Sequence, residues 1–169
     1  DGMGYWETVK KIVQEADIIM EILDSRMPQQ SRNSQLEKMV EESGKKLLLV
    51  INKSDLISKR QAAKQKALLA KRCVFVSAKN RSGMTLLKTE LRALSSGKEA
   101  KIAVVGYPNT GKSSIINMLG GRKAARTSSV AGFTRGKQHV RISKNLLLID
   151  SPGVIPAQER DETAMAMLS

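Results

Sequence analysis

Cysteine occurs once in the 169 residues, at Cys73. No internal disulfide can form, which removes the disulfide-stapled secreted scaffolds and points to a reducing compartment. Aromatic residues are scarce too, at 3%. A core must therefore be assembled from Leu, Ile, Val, Ala and Met, and the 41% hydrophobic content is enough to build one. No apolar run is long enough to span a bilayer, and no stretch has the pattern of a signal peptide. The expectation is a soluble, cytoplasmic, monomeric protein of one domain with no membrane partner. Neither end of the chain reads as a finished terminus.

Acidic residues are nearly absent from the middle of the chain. Residues 45–149 hold 23 basic and 3 acidic side chains, net +20. Residues 1–44 are net −4 and residues 150–169 net −3. A section this basic suits an anionic partner larger than one nucleotide. A thoroughly solvated surface is the plain alternative.

What is present is an alternation of strands and helices. Trp6, Val9, Ile12, Val13 and Ala16 recur at helical spacing, predicting an amphipathic helix over 5–16. The apolar runs 17–24, 46–51, 73–76 and 102–105 read as buried strands, and 138–142 and 145–149 as two more around a Ser143-Lys144 turn. Helices are expected over 33–42, 58–71, 83–94 and 113–119, and 121–136 shows no period and reads as a loop. The fold class is α/β: a doubly wound, mostly parallel sheet of about six strands. Such sheets bind ligands at the carboxyl ends of their strands, and the motifs fall there.

Gly106-Tyr107-Pro108-Asn109-Thr110-Gly111-Lys112-Ser113 matches G-x-x-x-x-G-K-[ST] between a predicted strand and a predicted helix. Chance supplies such a match in roughly one chain of this length in a hundred, given ordinary glycine usage. The glycines let the backbone curl around phosphates, and the N–H groups of Asn109 to Ser114 face the anion at a helix N-terminus. Lys112 can reach the β- and γ-phosphates, and the Ser113 hydroxyl can ligate Mg²⁺.

Asn52-Lys53-Ser54-Asp55 follows the second strand. The Asp55 carboxylate can accept from N1–H and the exocyclic amine of guanine, a donor pair that adenine lacks. The wrong base leaves the carboxylate unpaired, at a cost of kilocalories. Asn52 can bond the other edge of the purine and brace the loop, and the Lys53 stem can lie flat on the ring. Ser77-Ala78-Lys79 follows the third strand, where the Ala78 N–H could donate to guanine O6. An ordinary polar turn is the alternative for either motif taken alone.

Asp150-Ser151-Pro152-Gly153 follows the last strand and matches the D-x-x-G pattern of GTPases. Asp150 can hold Mg²⁺ through a water, and the Gly153 N–H can meet a γ-phosphate only while one is present, which makes a switch. Thr134 is the candidate second switch residue, through its hydroxyl on Mg²⁺ and its N–H on the γ-phosphate; Thr127 is its rival. Lys112, Thr134 and Gly153 would stabilise the transition state.

The motif order is a rotation of the usual one, in which the phosphate loop comes first; here the base-reading motifs at 52–55 and 77–79 precede the phosphate loop at 106–113, Thr134 and Asp150–Gly153. This order resembles the circularly permuted GTPases of the YlqF/YawG family. Asp24-Ser25-Arg26-Met27-Pro28, Ser31-Arg32-Asn33 and Ala131-Gly132-Phe133-Thr134-Arg135-Gly136-Lys137-Gln138 are similar to that family as well, so the likeness covers essentially the whole chain. The resemblance implies one permuted P-loop GTPase domain over 1–169. Its base-reading half is 1–94, its joint 95–99, and its phosphate-loop and switch half 100–169. In such proteins the element after the second switch can pass motion to a following domain, which would lie beyond Ser169.

The resemblance also implies GTP and GDP as ligands with Mg²⁺, and a role in assembling ribosomal subunits, mostly the large one. Ribosomal RNA is a polyanion and suits the basic section. Where Ras-like enzymes carry a water-positioning glutamine, Val154 stands. Asn109 matches an asparagine that several such GTPases use to hold K⁺; a loop-bracing hydrogen bond is the other reading. Some relatives use a histidine near the amino terminus; here His139 is the sole histidine and is assigned no catalysis, and Ala131 replaces the usual proline before Gly132. Weak intrinsic hydrolysis is expected. A nucleotide sensor that does not hydrolyse, an ATP-dependent enzyme, and a basic RNA-binding protein with a relic nucleotide site remain as competing readings.

Overall fold

The computed structural model describes residues 4–120 and 139–149. Among these residues the order is α1 (Tyr5–Glu15), β1 (Ile18–Asp24), α2 (Ser34–Glu42), β2 (Lys46–Asn52), a 3₁₀ turn (Ser54–Leu56), α3 (Lys59–Leu69), β3 (Cys73–Phe75), α4 (Met84–Ser95), β4 (Ala100–Gly106), α5 (Lys112–Gly120), β5 (His139–Arg141) and β6 (Leu146–Ile149). The strands form one six-stranded sheet in the order β3-β2-β1-β4-β6-β5. All neighbours are parallel except β5 and β6. The expected α/β architecture is what the chain adopts. The 121–136 loop lies outside the described residues.

β1 is buried at all seven positions, as a central strand covered on both faces must be. Its side chains alternate between two cores. Ile18, Met20 and Ile22 join Leu48, Val50 and Val104 beneath Leu87 and Leu91 of α4 and Ile115 and Ile116 of α5. Ile19 turns the other way, with Ala103 and Val105, toward Val9 and Val13 of α1 and Leu36 and Val40 of α2. Each fully buried aliphatic side chain contributes about 1.5–3 kcal/mol, so a mainly aliphatic core, with Tyr107 buried among it, holds the sheet between two helical layers.

The register sets up the functional edge. Asp24 stands opposite Asn52, and Ile22 opposite Gly106, across parallel pairs. The carboxyl ends of β1, β2 and β4 therefore open on one side, and the loops that follow them are neighbours. Strand order reverses between β1 and β4, the switch point at which such sheets accept ligands. Between α4 and β4 the chain turns through Ser96 and Gly97, both in the left-handed region at φ 55° and 76°.

Candidate nucleotide site

The phosphate loop leaves β4 at Gly106 and enters α5 at Lys112. Two of its residues take left-handed backbone, Asn109 at φ 70° and Gly111 at φ 93°. The curl is pinned from within, since the buried Thr110 hydroxyl donates to the Tyr107 carbonyl at 2.9 Å. Thr110 thus offers a ligand its backbone rather than its side chain. Lys112 is largely buried at the first turn of α5, while Ser113 and Ser114 are exposed there. The Ser113 hydroxyl is accessible to a cation, and the helix start to an anion.

Asn52 ties the base-reading loop to this curl. Its Nδ2 donates to the Thr110 carbonyl at 2.9 Å, and its Oδ1 accepts from the Ala78 N–H at 3.1 Å. One buried side chain thereby joins the loops after β2, β3 and β4. The Ala78 N–H, read from sequence as a donor to guanine O6, is directed to Asn52 instead. The Lys53 ammonium donates to the Asn109 carbonyl and lies 3.3 Å from Asp24 Oδ2, so its stem is stretched across the loop. Asp55 Oδ1 accepts the Ser77 hydroxyl at 2.7 Å, which aims the carboxylate. Asn52, Lys53, Asp55, Ala78 and Lys79 line one cavity of about 350 Å³ together with Gly111 and Ser114. That volume is in the range of small-molecule sites.

Sequence reasoning gives no role to the loop after β1. Asp24 is fully buried and accepts the Arg26 guanidinium through Nε at 2.9 Å and Nη2 at 2.7 Å. Burial alone would raise its carboxyl. Hydrogen bonds from Arg26 and the nearby Lys53 ammonium outweigh that and hold it below the usual carboxylate range. Ser25 donates its hydroxyl to the Lys53 carbonyl and its N–H to the Asn52 carbonyl. The loop is thus a brace under Asn52 and Lys53, and Arg26 reaches the cavity wall. The signal in the sequence is a charged residue closing an apolar strand, in register with Asn52.

A second brace reaches the phosphate loop. Asn33 caps α2 through Leu36 N–H at 2.8 Å, donates Nδ2 to the Tyr107 hydroxyl at 2.9 Å, and gives its own N–H to Glu21 Oε2 at 2.8 Å. Glu21 is wholly buried on β1, with no donor to its Oε1. Burial, then the hydrogen bond with Glu37 and its charge, push Glu21 well above the ordinary 4.5. The Glu37 carboxyl, raised by burial, is pulled below the ordinary value by Arg32 at 2.7 Å and by its hydrogen bonding with Glu21.

The sign of the resulting pH effect is set. Between the unfolded value of 4.5 and the higher folded one, the folded state binds the extra proton, so Glu21 costs stability as pH rises. Glu21→Gln keeps the neutral shape and a donor toward Glu37. The difference between the variant and the parent should be constant below about pH 4.5, and above it the variant should gain on the parent until the folded-state carboxyl itself ionises, where the difference levels off. Thermal melts across pH check this; a difference constant at every pH would rule out a protonated Glu21.

Among the described residues no group of three or more His, Cys, Asp or Glu is placed to hold a metal, and no helix is long and apolar enough to cross a membrane. Thr134, Thr127, Asp150, Gly153 and Val154 lie outside the described residues.

Comparison with known proteins agrees with this fold. A family model described as "50S ribosome-binding GTPase" matches residues 101–169. An uncharacterized GTP-binding protein of Methanocaldococcus jannaschii is 46% identical over 94% of this chain and 43% of its own length. Nucleolar GTP-binding protein 2 of Schizosaccharomyces pombe is 33% identical over 96% of this chain and 32% of its own. The chain thus spans less than half the length of these relatives. The crystal structure of GNP-bound YlqF from T. maritima superposes with a TM-score of 0.71 at 23% identity, over 97% of this chain and 64% of that one, which shows the shared fold.

Proposed function

We propose that the chain is a circularly permuted GTPase related to YlqF, that it binds GTP and hydrolyses it to GDP and phosphate, and that it acts as a switch in ribosomal subunit assembly, on the large subunit. One observation carries the nucleotide part: Asn52 bonds both the Thr110 carbonyl of the phosphate loop and the Ala78 N–H of the second base loop. The base-reading loops and the phosphate loop are thereby tied together around one cavity, which Asp55 and Gly111 both line.

The residues fit the ligand. Gly111 brings backbone to the cavity wall where a side chain would intrude, and α5 presents its N-terminus there. Asp55 reads the base, Lys53 and Lys79 flank it, and Lys112 balances phosphate charge. Ser113, Thr134 and Asp150 would hold Mg²⁺, which when bound neutralises charge on the phosphate oxygens. Asn109 would hold K⁺. Val154 cannot orient water by hydrogen bonding, so intrinsic turnover is slow and rises when a partner or a cation supplies what the missing glutamine would.

The ribosomal part is supported by the description of the matching family, by the nucleolar name of the fungal relative, and by the net +20 of residues 45–149, which suits RNA. Phosphate release in KCl and in NaCl, with and without ribosomal subunits, tests the reading. Slow basal release that rises with K⁺ and with subunits is expected. Equal turnover in all four conditions would reject the switch. GTP bound without release over many hours would favour the sensor reading that Val154 suggests.

A further inference from the structure

We propose that α3 is a docking surface for the sugar-phosphate backbone of RNA, joined mechanically to the nucleotide loops. The choice of RNA rests on the ribosomal reading above. The surface itself is argued from the helix.

α3 is an odd helix for this fold. Of its 11 residues only Leu69 is buried. α1 and α2 carry both signs of charge on their exposed sides, as solvated helices usually do, with Glu7 near Lys10 and Lys38 near Glu41. The stretch 59–72 has six basic residues and no acidic one. Lys59, Arg60, Lys64 and Lys66 are exposed, and among the described residues none of them has an ion-pair partner. The pattern also works against the helix. Lys59 and Arg60 occupy its first turn, where the macrodipole disfavours cations, and Arg60 and Lys64 are like charges one turn apart. A face kept for solubility alone would mix signs. A face kept for an external anion would look like this one.

The same features select the anion. α3 has no aromatic side chain and one exposed large apolar residue, Leu68, so it lacks the apolar centre of a protein interface and the apolar stripe of a membrane-surface helix. Point charges on long stems are what phosphates need. Lys59 and Lys66 lie two turns apart, about 10.5 Å along the axis, and Arg60 and Lys64 form a second row.

The helix is tied to the nucleotide site. The Gln65 Nε2 donates to the Ser25 carbonyl at 2.7 Å, and Ser25 in turn holds the carbonyls of Asn52 and Lys53. Movement of α3 against the sheet is therefore felt where the base is read.

The test uses the full chain with a short RNA hairpin across about 50–200 mM salt, the range over which phosphate neutralisation dominates affinity. The Lys59→Gln, Arg60→Gln, Lys64→Gln, Lys66→Gln combination keeps helix propensity. Its affinity should fall at least about tenfold, with the log–log salt slope reduced by about one for each phosphate no longer neutralised. GTP affinity and the melting temperature should not fall. Lys88→Gln with Arg92→Gln on α4 should leave RNA binding unchanged. RNA binding by the fourfold variant equal to the parent's, or parent affinity for polyglutamate equal to that for RNA, would overturn the assignment. Co-sedimentation with ribosomal subunits separates the two readings. A fourfold variant that still co-sediments as the parent does sinks the α3 surface alone. A parent that fails to co-sediment, while its RNA binding still depends on α3, sinks the ribosomal reading alone.

Discussion

Asp55→Asn is expected to lower GTP affinity about a thousandfold and to turn preference toward xanthosine triphosphate. The carboxylate can accept from both N1–H and the exocyclic amine of guanine, two charge-assisted bonds worth about 1.5–3 kcal/mol each. Its position is not free to adapt, because Ser77 is buried and fixes Oδ1 at 2.7 Å. An asparagine there offers one acceptor and one donor. Its NH₂ would face the guanine amine, donor against donor. Xanthine carries a carbonyl at that carbon, which accepts the amide, so the mismatch becomes a match. Titrations with GTP, xanthosine triphosphate and ATP measure the exchange. A variant that keeps its preference for GTP would show that some other group reads the base, and the assignment of Asp55 would be wrong.

The parts of this site that sequence exposes are those where one residue type has one job. Gly111 and Lys112 at fixed spacing after an apolar strand predict a phosphate loop, and the structure puts the loop there between β4 and α5. The alternation of strands and helices likewise predicts the parallel sheet that lines up Asp24, Asn52 and Gly106. That Asn52 braces a loop is legible in the sequence, but the partners of the braces are not. Asn33 meets Tyr107 across 74 positions, and Asn52 meets Thr110 across 58, pairings that no local pattern encodes. Glu21 reads as a lone acid in an apolar strand, and only the fold shows that Asn33 and Glu37 surround it. The Ala78 N–H reads from sequence as a donor to the ligand, and only the fold shows that Asn52 Oδ1 accepts it here. The charge of 59–72 is plain in the sequence. That Lys59, Arg60, Lys64 and Lys66 have no ion-pair partner among the described residues, while Arg72 pairs with Glu90, becomes visible only with the packing.

The bond between Asn52 and the phosphate loop makes Gly111→Ala the most damaging small substitution in the site. Gly111 sits at φ 93°, where a Cβ is strained, and an added Cβ would lie 2.3 Å from Asn52 Nδ2. No approach that short survives, so either the loop or Asn52 must shift. The backbone strain is of order 1–3 kcal/mol. Displacing Asn52 also breaks its buried bond to the Thr110 carbonyl, at about 1–3 kcal/mol more, and loosens the Ala78 loop that shares it. Melting should therefore fall by several degrees, and GTP affinity by about a hundredfold or more, since each 1.4 kcal/mol is a factor of ten. Relief should be specific. Adding Asn52→Ala to Gly111→Ala removes the clash but does not restore the broken bonds, so the double variant should be less damaged than the two single losses added together. Calorimetric melts and nucleotide titrations of the four proteins in that cycle decide it. Strict additivity would mean that Gly111 acts through its backbone angle alone, and that the Asn52 brace does not transmit between the base and phosphate ends of the site.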